Sequence, residues 1–519
     1  MEMIQTSRKP MGSVAQSVHA WGVVSLLVFF SFYSEESQAR LIQIIHTNDL
    51  HSHFDHSENT ERGGYAQIKA KIDELKAAAK SIGASSIVLD AGDLSEGTPY
   101  FLADQGEQSW RMIDAMGYDA IAIGNHDYMM GQKDLNRILT NTNPQTPFVV
   151  ANFKIDAGMD ALKKHFHPYV TLNRAGLKIA IFGLTTDEFM YKWMAGKGRI
   201  SAPAVTTKAH VQELRANHDV VIALTHLGVD GDKKLDSQVD GFDAIVGGHS
   251  HTLLNEVVYA KRPSGQMVPI VQSGQHGNNI GEFWIDAEPG QAAKVVSYKT
   301  HPVYSAGPSD HVIANRVRDA RTRLEVNYGA DWLYEKVGES KVDMEAPHSD
   351  QTPWGHLMGQ VFQLPVHADL SLDPGHLLYG DDVKAGDVTR EKLFQFYPRV
   401  FKFDQKEGWT VWSTSIRGWV FKLAIEQAAK QGFVMQMTGI DYEWSADAKG
   451  NPKLTKLKIN GQKFHPFRLY KVGLPEGVGR ALRDIFPILR LIFHHAIDSQ
   501  KPIWTEMEAQ LKAVGGVID

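Results

Sequence analysis

The sequence predicts an α/β protein of two domains, and three observations support this fold class. In the first half, short aliphatic runs that stop at glycine or at polar residues, as buried strands do, alternate with helical patterns. An amphipathic segment at 306–335 then predicts a linker helix, and mixed α and β patterns fill the rest of the chain. The length of 519 residues also exceeds the roughly 250 to 300 residues at which a single core stops growing. We therefore expect one domain at 40–305 and a second at 336–519.

Residues 1–39 have the pattern of a secretory signal peptide. Arg8 and Lys9 precede an apolar run from Trp21 to Tyr33, and Ser37-Gln38-Ala39 offers small residues for cleavage. An uncleaved membrane anchor is the alternative, but the run is shorter than the ~20 residues that a membrane span needs. The chain has no cysteine, which excludes disulfides and a lipid-modified cysteine. We expect an exported protein that is soluble after cleavage, and a bacterial periplasm fits best.

Further elements follow the same alternation along the chain. Apolar residues spaced by three and four predict a helix over Tyr65–Lys80 that packs on the sheet, and Leu177–Gly183 predicts a strand that ends in glycine. In the second half, Arg468–Gly473 predicts a strand, and Arg480–Ser499 predicts a helix broken by Pro487.

Five predicted strands of the first half end in side chains that bind metals. In open α/β sheets the site lies outside the carboxyl ends of the strands, so these ends are expected to meet at one place. The side chains are aspartate, asparagine and histidine, which predicts a metal site. The strand ends are Asp49-Leu50-His51, Gly92-Asp93, Gly124-Asn125-His126-Asp127, His226 and Gly248-His249-Ser250-His251.

This ligand set is larger than one metal ion can use. Two ions roughly 3.5 to 4 Å apart, sharing one carboxylate, would use seven ligands and could clamp an in-line displacement at phosphorus. Any one of these residues taken alone is more often a hydrogen-bonded structural residue, but agreement among five strand ends weakens that interpretation. The net charge of −6 gives no support to nucleic-acid binding, so metal ions would have to attract an anionic substrate locally.

In their order and spacing, these motifs resemble those of the calcineurin-like metallophosphoesterases. The opening Ile45-His-Thr-Asn-Asp-Leu-His51 is similar, more narrowly, to the secreted 5'-nucleotidase and UDP-sugar hydrolase branch. The resemblance implies a four-layer first domain, in which helices flank a β-sandwich, and a second α/β domain. It also implies two divalent ions, whose identity among Mn, Fe, Co and Zn the sequence leaves open.

The resemblance also implies a role for each candidate residue. His126 would donate a hydrogen bond or a proton near the leaving group, while a water or hydroxide between the ions attacks phosphorus. An aspartate three positions later usually orients this histidine, but here that position is Met129, so Asp127 or a residue elsewhere must take over. One ion would be held by Asp49, His51, Asp93 and His251, and the other by Asp93, Asn125, His226 and His249, with Asp93 bridging.

The second domain departs from the pattern of this branch. The closest matches to its substrate-binding motifs, Asp373-Pro-Gly-His-Leu377 and Pro475–Gly479, lack the usual arginine and aspartate. The fold is therefore carried over and no substrate-binding residue is. Among the available cations, Arg399, Arg417, Arg480 and Arg483 are each predicted to be solvated surface residues, and Trp409 and Trp412 are predicted to be core residues rather than a base platform.

Phosphate-monoester hydrolysis is the predicted reaction, with nucleoside monophosphates as the leading substrates by family analogy alone. A phosphodiesterase or a nucleotide-sugar pyrophosphate hydrolase is the first alternative, because the metal centre is common to these reactions. A binding protein that retains metals without turnover is the second. The expected partner is a small phosphorylated molecule, and neither nucleic acid nor a stable membrane association is expected.

Overall fold

The computed structural model describes residues 40–55, 61–192, 195, 199–289, 291–346, 352–375, 378–380, 382–400, 402–430, 435–485 and 493–519. The predicted signal peptide lies outside these residues. None of the helices in this part of the chain combines the length and apolar character that a membrane crossing requires.

The described residues of the first domain form thirteen strands in two sheets. In chain order they are β1 (Leu41–Thr47), β2 (Ser85–Asp90), β3 (Ala120–Ala122), β4 (Phe148–Val149), β5 (Phe166–His167), β6 (Tyr169–Arg174), β7 (Leu177–Thr185), β8 (Val220–His226), β9 (Ala244–Gly247), β10 (Val258–Lys261), β11 (Met267–Val271), β12 (Asn279–Asp286) and β13 (Lys294–Pro302). One sheet has the order β13-β12-β1-β2-β3-β4-β5 and the other β10-β11-β9-β8-β7-β6. Strands β1 to β5 pair in parallel, as do β7, β8, β9 and β11.

The two sheets pack face to face with helices outside each of them. Ile44 of β1 and Ile222 of β8 share one buried cluster between the sheets. The next residue, Ile45, points the other way and packs with Ile68 of a flanking helix, because successive side chains of a strand alternate between faces. The described helices of this domain are Tyr65–Ser81, Tyr100–Ala103, Glu107–Ala115, Asn125–Tyr128, Gln132–Thr142, Asp160–His165, Phe189–Lys192, Pro203–Asn217 and Val229–Asp236. The predicted four-layer sandwich is confirmed.

A helix at His311–Tyr328 leads from the first domain to the second. Asp310 caps it, since its side chain accepts a hydrogen bond from the Ile313 amide at 2.8 Å. Ile313, Val317, Ala320 and Leu324 form its buried stripe. A short helix, Ala330–Leu333, follows.

The second domain is mixed α and β, as predicted. Its strands are β14 (Lys336–Ser340), β15 (Leu370–Asp373), β16 (Gly386–Thr389), β17 (Thr410–Arg417), β18 (Gln436–Thr438), β19 (Ile440–Ala446), β20 (Pro452–Ile459), β21 (Gln462–Lys463), β22 (Leu469–Pro475), β23 (Phe493–Pro502) and β24 (Val517–Ile518). They form sheets of order β16-β14-β24, β18-β15-β22-β17-β23 and β19-β20-β21. Its described α-helices are Pro353–Gln363, Arg390–Phe396, Gly418–Lys430, Glu476–Arg480 and Ile503–Ala513, and Leu364–Val366 is a short 3-10 turn.

The predicted helix at Arg480–Ser499 is wrong over its last part, since residues 493–499 belong to strand β23, and residues 486–492 lie outside the described residues. The α-helix ends at Arg480, one π-helical turn covers Ala481–Ile485, and β23 runs antiparallel to β17. The partner strand lies some 80 residues earlier in the chain, with Ser413 opposite Ile497. Long-range pairing therefore overrides a local pattern that favours a helix.

Candidate metal centre

The predicted ligands converge at the carboxyl ends of the central strands. Three groups of side chains bring their ligand atoms within 4.8 Å of one another, namely Asp49 with His51 and His251, His51 with Asp93 and His126, and Asp93 with His226 and His249. Asn125 lies beside them on the wall of the same cavity. Two of the three groups correspond to the two ligand sets that the family resemblance implies.

The backbone around these ligands is strained. Asp49, His51, Asp93, His249 and His251 all have positive φ values, between 46° and 84°. Non-glycine residues with positive φ are uncommon, and they cluster at functional sites where the surrounding structure holds them. Gly124 is needed for a different reason, because a Cβ at this position would lie 2.1 Å from Asp93 Oδ1.

The orientation of the side chains fits a bound cation. The carbonyl of Ala91 accepts a hydrogen bond from Nδ1 of His226 at 2.8 Å, so in the neutral ring the lone pair lies on Nε2. That Nε2 faces Asp93 Oδ2 at 3.0 Å. Asn125 Oδ1 is also buried, and no described residue donates a hydrogen bond to it. Unpaired acceptors that face each other in a buried site are the arrangement that a metal ion satisfies.

Electrostatics favour positive charge at the same place. Burial lowers the pKa of His226, but the negative charges of Asp93 and Asp49 outweigh burial and raise that pKa to about 10. Burial raises the pKa of Asp93, yet the neighbouring histidines outweigh it and hold that pKa well below its usual value. A divalent ion bound at this place would replace the protons that His226 and the other histidines around Asp93 carry.

His126 is the second residue of the short helix that follows β3, Asn125–Tyr128, and its ring lies between the ligands and a glutamate. Its Nε2 lies 4.0 Å from Asp93 Oδ2, and its backbone amide donates to Asp93 Oδ1 at 2.8 Å. Its Nδ1 donates to the carboxylate of Glu96. Sequence reasoning missed Glu96, although it stands three residues after Asp93 at the same strand end.

Asp127 does not contact the His126 ring. Its carboxylate accepts four backbone N–H groups, from Asp93, Leu94, Ser95 and Gly124, at 2.8 to 3.1 Å. This corrects the expectation that Asp127 orients His126. The aspartate instead ties the loop after β2 to the loop after β3.

The second domain reaches the site through Arg399, which was predicted to be a surface residue. Its side chain is only 11% exposed, and its Nη1 donates to Glu96 Oε2 at 3.0 Å. The backbone amide of Val400 donates to the other carboxylate oxygen, also at 3.0 Å. The surface prediction for Arg399 is wrong because the contact crosses the domain interface, where no local pattern signals it. The core prediction for Trp409 and Trp412 is confirmed, since both are buried.

Other polar residues surround the ligands. Glu188 Oε1 lies 3.3 Å from His249 Nε2. The rings of His53 and His276 stack with centroids 3.8 Å apart, and the His276 ring lies 5.6 Å from that of His51. The whole group opens into a cavity of about 2360 Å³ that both domains line, with Tyr379, Gln395 and Arg399 on the side of the second domain.

Comparison with known families agrees with the fold and the site. Residues 42–253 match the calcineurin-like phosphoesterase family, and residues 336–477 match the C-terminal domain of 5'-nucleotidase. Together with the convergent ligand set, the first match defines a metal-dependent phosphoesterase. The chain therefore carries a calcineurin-like phosphoesterase domain followed by a C-terminal domain of the 5'-nucleotidase type. The predicted resemblance is confirmed.

Individual relatives are distant but cover most of this chain. A trifunctional nucleotide phosphoesterase protein of Bacillus subtilis is 28% identical over 479 residues, which cover 81% of this chain. The chain spans only 30% of the length of that relative. The 5'-nucleotidase of Bos taurus is 25% identical, with 84% of this chain and 82% of the relative covered. The crystal structure of a 5'-nucleotidase precursor from Thermus thermophilus superposes with a TM-score of 0.77 at 22% identity, covering 92% of this chain and 97% of that one.

Proposed function

We propose that the protein hydrolyses nucleoside 5'-monophosphates with two divalent metal ions. The observation that carries this proposal is the convergence of seven metal-binding side chains beneath a cavity lined by a domain of the 5'-nucleotidase type. One ion would be held by Asp49, His51, Asp93 and His251, and the other by Asp93, Asn125, His226 and His249. When bound, the ions would neutralise the phosphoryl oxygens and activate the attacking water.

His126 is the proposed proton donor to the leaving oxygen. The Nε2 atom of its ring faces the metal-binding side chains, at 4.0 Å from Asp93 Oδ2, while Nδ1 donates to Glu96. Proton donation to a substrate would therefore use the imidazolium form of the ring, which carries a second proton on Nε2 and returns to the neutral form with its proton on Nδ1. An imidazole suits this task because its ordinary pKa lies near neutral pH.

The substrate class rests on the second domain and on the size of the cavity. The relatives that match both domains include proteins named as 5'-nucleotidases. A nucleotide sugar is the second candidate, and the cavity volume favours it because this substrate is larger than a mononucleotide. At about 2360 Å³, the cavity exceeds the ~300–1,000 Å³ of ordinary small-molecule sites and leaves room beyond a mononucleotide. We also propose that the protein is exported to the periplasm after cleavage behind Ala39.

Phosphate release by the purified protein, together with chromatography of the products, tests the function, because cleavage of UDP-glucose or of a cyclic nucleotide leaves phosphorylated products and releases no inorganic phosphate. The substrates are AMP, UDP-glucose, a cyclic nucleotide and an aryl phosphate, each with added Mn²⁺ or Co²⁺. We expect turnover of AMP that a chelator removes, that added metal restores and that Asp93→Asn abolishes. Hydrolysis of the aryl phosphate without hydrolysis of AMP would refute the nucleotide substrate and leave the metal chemistry intact.

A further inference from the structure

We propose that Glu96 is the residue that positions His126 for proton transfer, and that Arg399 of the second domain holds Glu96 in place. This proposal rests on the proposed role of His126 as proton donor. The motifs of the first domain do not predict the contact between Glu96 and Arg399, because the two residues are 303 residues apart in the chain.

The hydrogen bond to Glu96 sets the geometry of the His126 imidazole. A carboxylate accepts hydrogen bonds and cannot donate them, so the contact with Glu96 requires the proton on Nδ1 of His126. The hydrogen bond fixes the rotation of the ring and aims Nε2 at the metal-binding side chains. A partner that fixes the orientation and tautomer of a working histidine is a recurrent feature of metal and acid–base sites.

Glu96 is itself held in a fixed position. The residue is 2% exposed, and its φ of 62° lies in the left-handed region. Gly97 follows with a φ of 110°, and a Cβ there would lie 2.5 Å from the backbone oxygen of His51. The segment is thus clamped against the loop that carries a proposed metal ligand, and Glu96 has little freedom to turn away.

Three hydrogen-bond donors converge on the carboxylate of Glu96. Oε1 accepts from the Val400 amide, and Oε2 accepts from Arg399 and His126. Burial raises the pKa of Glu96, but the charges of His126 and Arg399 and the Val400 amide outweigh it and lower that pKa below its usual value. All three donors therefore face an ionised acceptor.

Arg399 is anchored within the second domain by two further hydrogen bonds. Its Nε donates to the carbonyl of Leu378 at 2.9 Å, and its Nη2 donates to the carbonyl of Tyr379 at 3.3 Å. These carbonyls belong to the segment that follows β15 in the second domain. The second domain thereby acts on the proton-transfer group of the first domain, besides lining the cavity.

Met129 explains why a partner from elsewhere is needed. It lies three residues after His126 and is buried, with a thioether that is only a weak acceptor. No carboxylate at this position competes for Nδ1, and Glu96 makes the contact instead.

The test compares Glu96→Gln with the wild-type full-length protein on two leaving groups. The substrates are an alkyl phosphate, such as AMP or glycerol phosphate, and para-nitrophenyl phosphate, whose phenolate leaves without a proton. We expect kcat on the alkyl phosphate to fall by about 10²-fold, within the 10²–10⁴-fold range of general acid catalysis, with little change in KM. We expect kcat on the aryl phosphate to fall less than about tenfold, with unchanged metal content.

Three further variants sharpen the test. Glu96→Asp should recover part of the alkyl phosphatase activity, and Glu96→Gln should add nothing in a His126→Ala background, because residues that act as a unit are not additive. Glu508→Gln is the matched control, since Glu508 accepts from Arg390 at 2.7 and 3.0 Å inside the second domain, away from the site. It should leave both activities unchanged.

Equal loss on both substrates, with metals retained, would overturn the proposal by showing a merely structural role for Glu96. No loss on either substrate would overturn it as well. If wild-type protein cleaves glycerol phosphate but not AMP, the nucleotide substrate fails, and the leaving-group comparison still decides the role of Glu96.

Discussion

Asp127 is predicted to act as a structural tie, and its removal should cost several kcal/mol. The carboxylate accepts four backbone N–H groups at 2.8 to 3.1 Å, and the residue is 5% exposed. Each buried donor that loses its partner costs about 1 kcal/mol or more. Asp127→Ala should therefore lower the free energy of unfolding by about 4 kcal/mol, because water has little access to replace the lost acceptor.

Asp114→Ala is the matched control for this measurement. Asp114 Oδ1 also accepts two backbone amides, from Gln145 and Thr146 at 2.9 and 2.8 Å, but it lies in a more exposed part of the same domain. Water can replace its carboxylate, so we expect a loss of about 1 kcal/mol. Denaturant unfolding monitored by tryptophan fluorescence would compare both variants with wild type. If Asp127→Ala is no less stable than Asp114→Ala, the structural account of Asp127 fails.

Two further predictions concern the second domain and the N-terminus. Burial raises the pKa of Asp373 to about 7 from its ordinary 3.8. Between these two pH values the folded protein binds one more proton than the unfolded chain, so its free energy of unfolding falls as the pH rises from about 4 to about 7. Asp373→Asn should therefore leave the free energy of unfolding unchanged near pH 4 and raise it at pH 8 by up to about 4 kcal/mol, as measured by denaturant unfolding. The same pH dependence of stability in the variant and in the wild-type protein would contradict this. N-terminal sequencing of protein recovered from the periplasmic fraction of a bacterial host should begin at Arg40, and recovery of the intact N-terminus from membranes would instead indicate an anchor.

Local sequence was sufficient to predict the residues that the structure brings together at the strand ends. Motifs such as Gly124-Asn125-His126-Asp127 follow a short apolar strand directly, and parallel pairing of β1, β2 and β3 then aligns their carboxyl ends. The same reasoning predicted an α/β domain, because buried strands leave continuous aliphatic runs, whereas the sandwich arrangement was implied by the family resemblance.

The contacts that sequence reasoning missed are those set by tertiary structure. His126 and Glu96 are 30 residues apart, and each belongs to a loop whose path depends on neighbouring strands. Strand β23 is specified by β17 and not by its own residues, which favour a helix locally. In each case the deciding partner is distant in sequence, so no spacing within a motif reveals it.

The Arg399–Glu96 ion pair links the arrangement of the domains to the proton donor. The two side chains are 11% and 3% exposed, so separation of the domains would leave a carboxylate without its cation. Since the same carboxylate holds Nδ1 of His126, docking of the second domain and orientation of the imidazole are not independent. A carboxylate three residues after His126 would orient the ring from within the first domain, whereas Glu96 makes that orientation depend on the second domain.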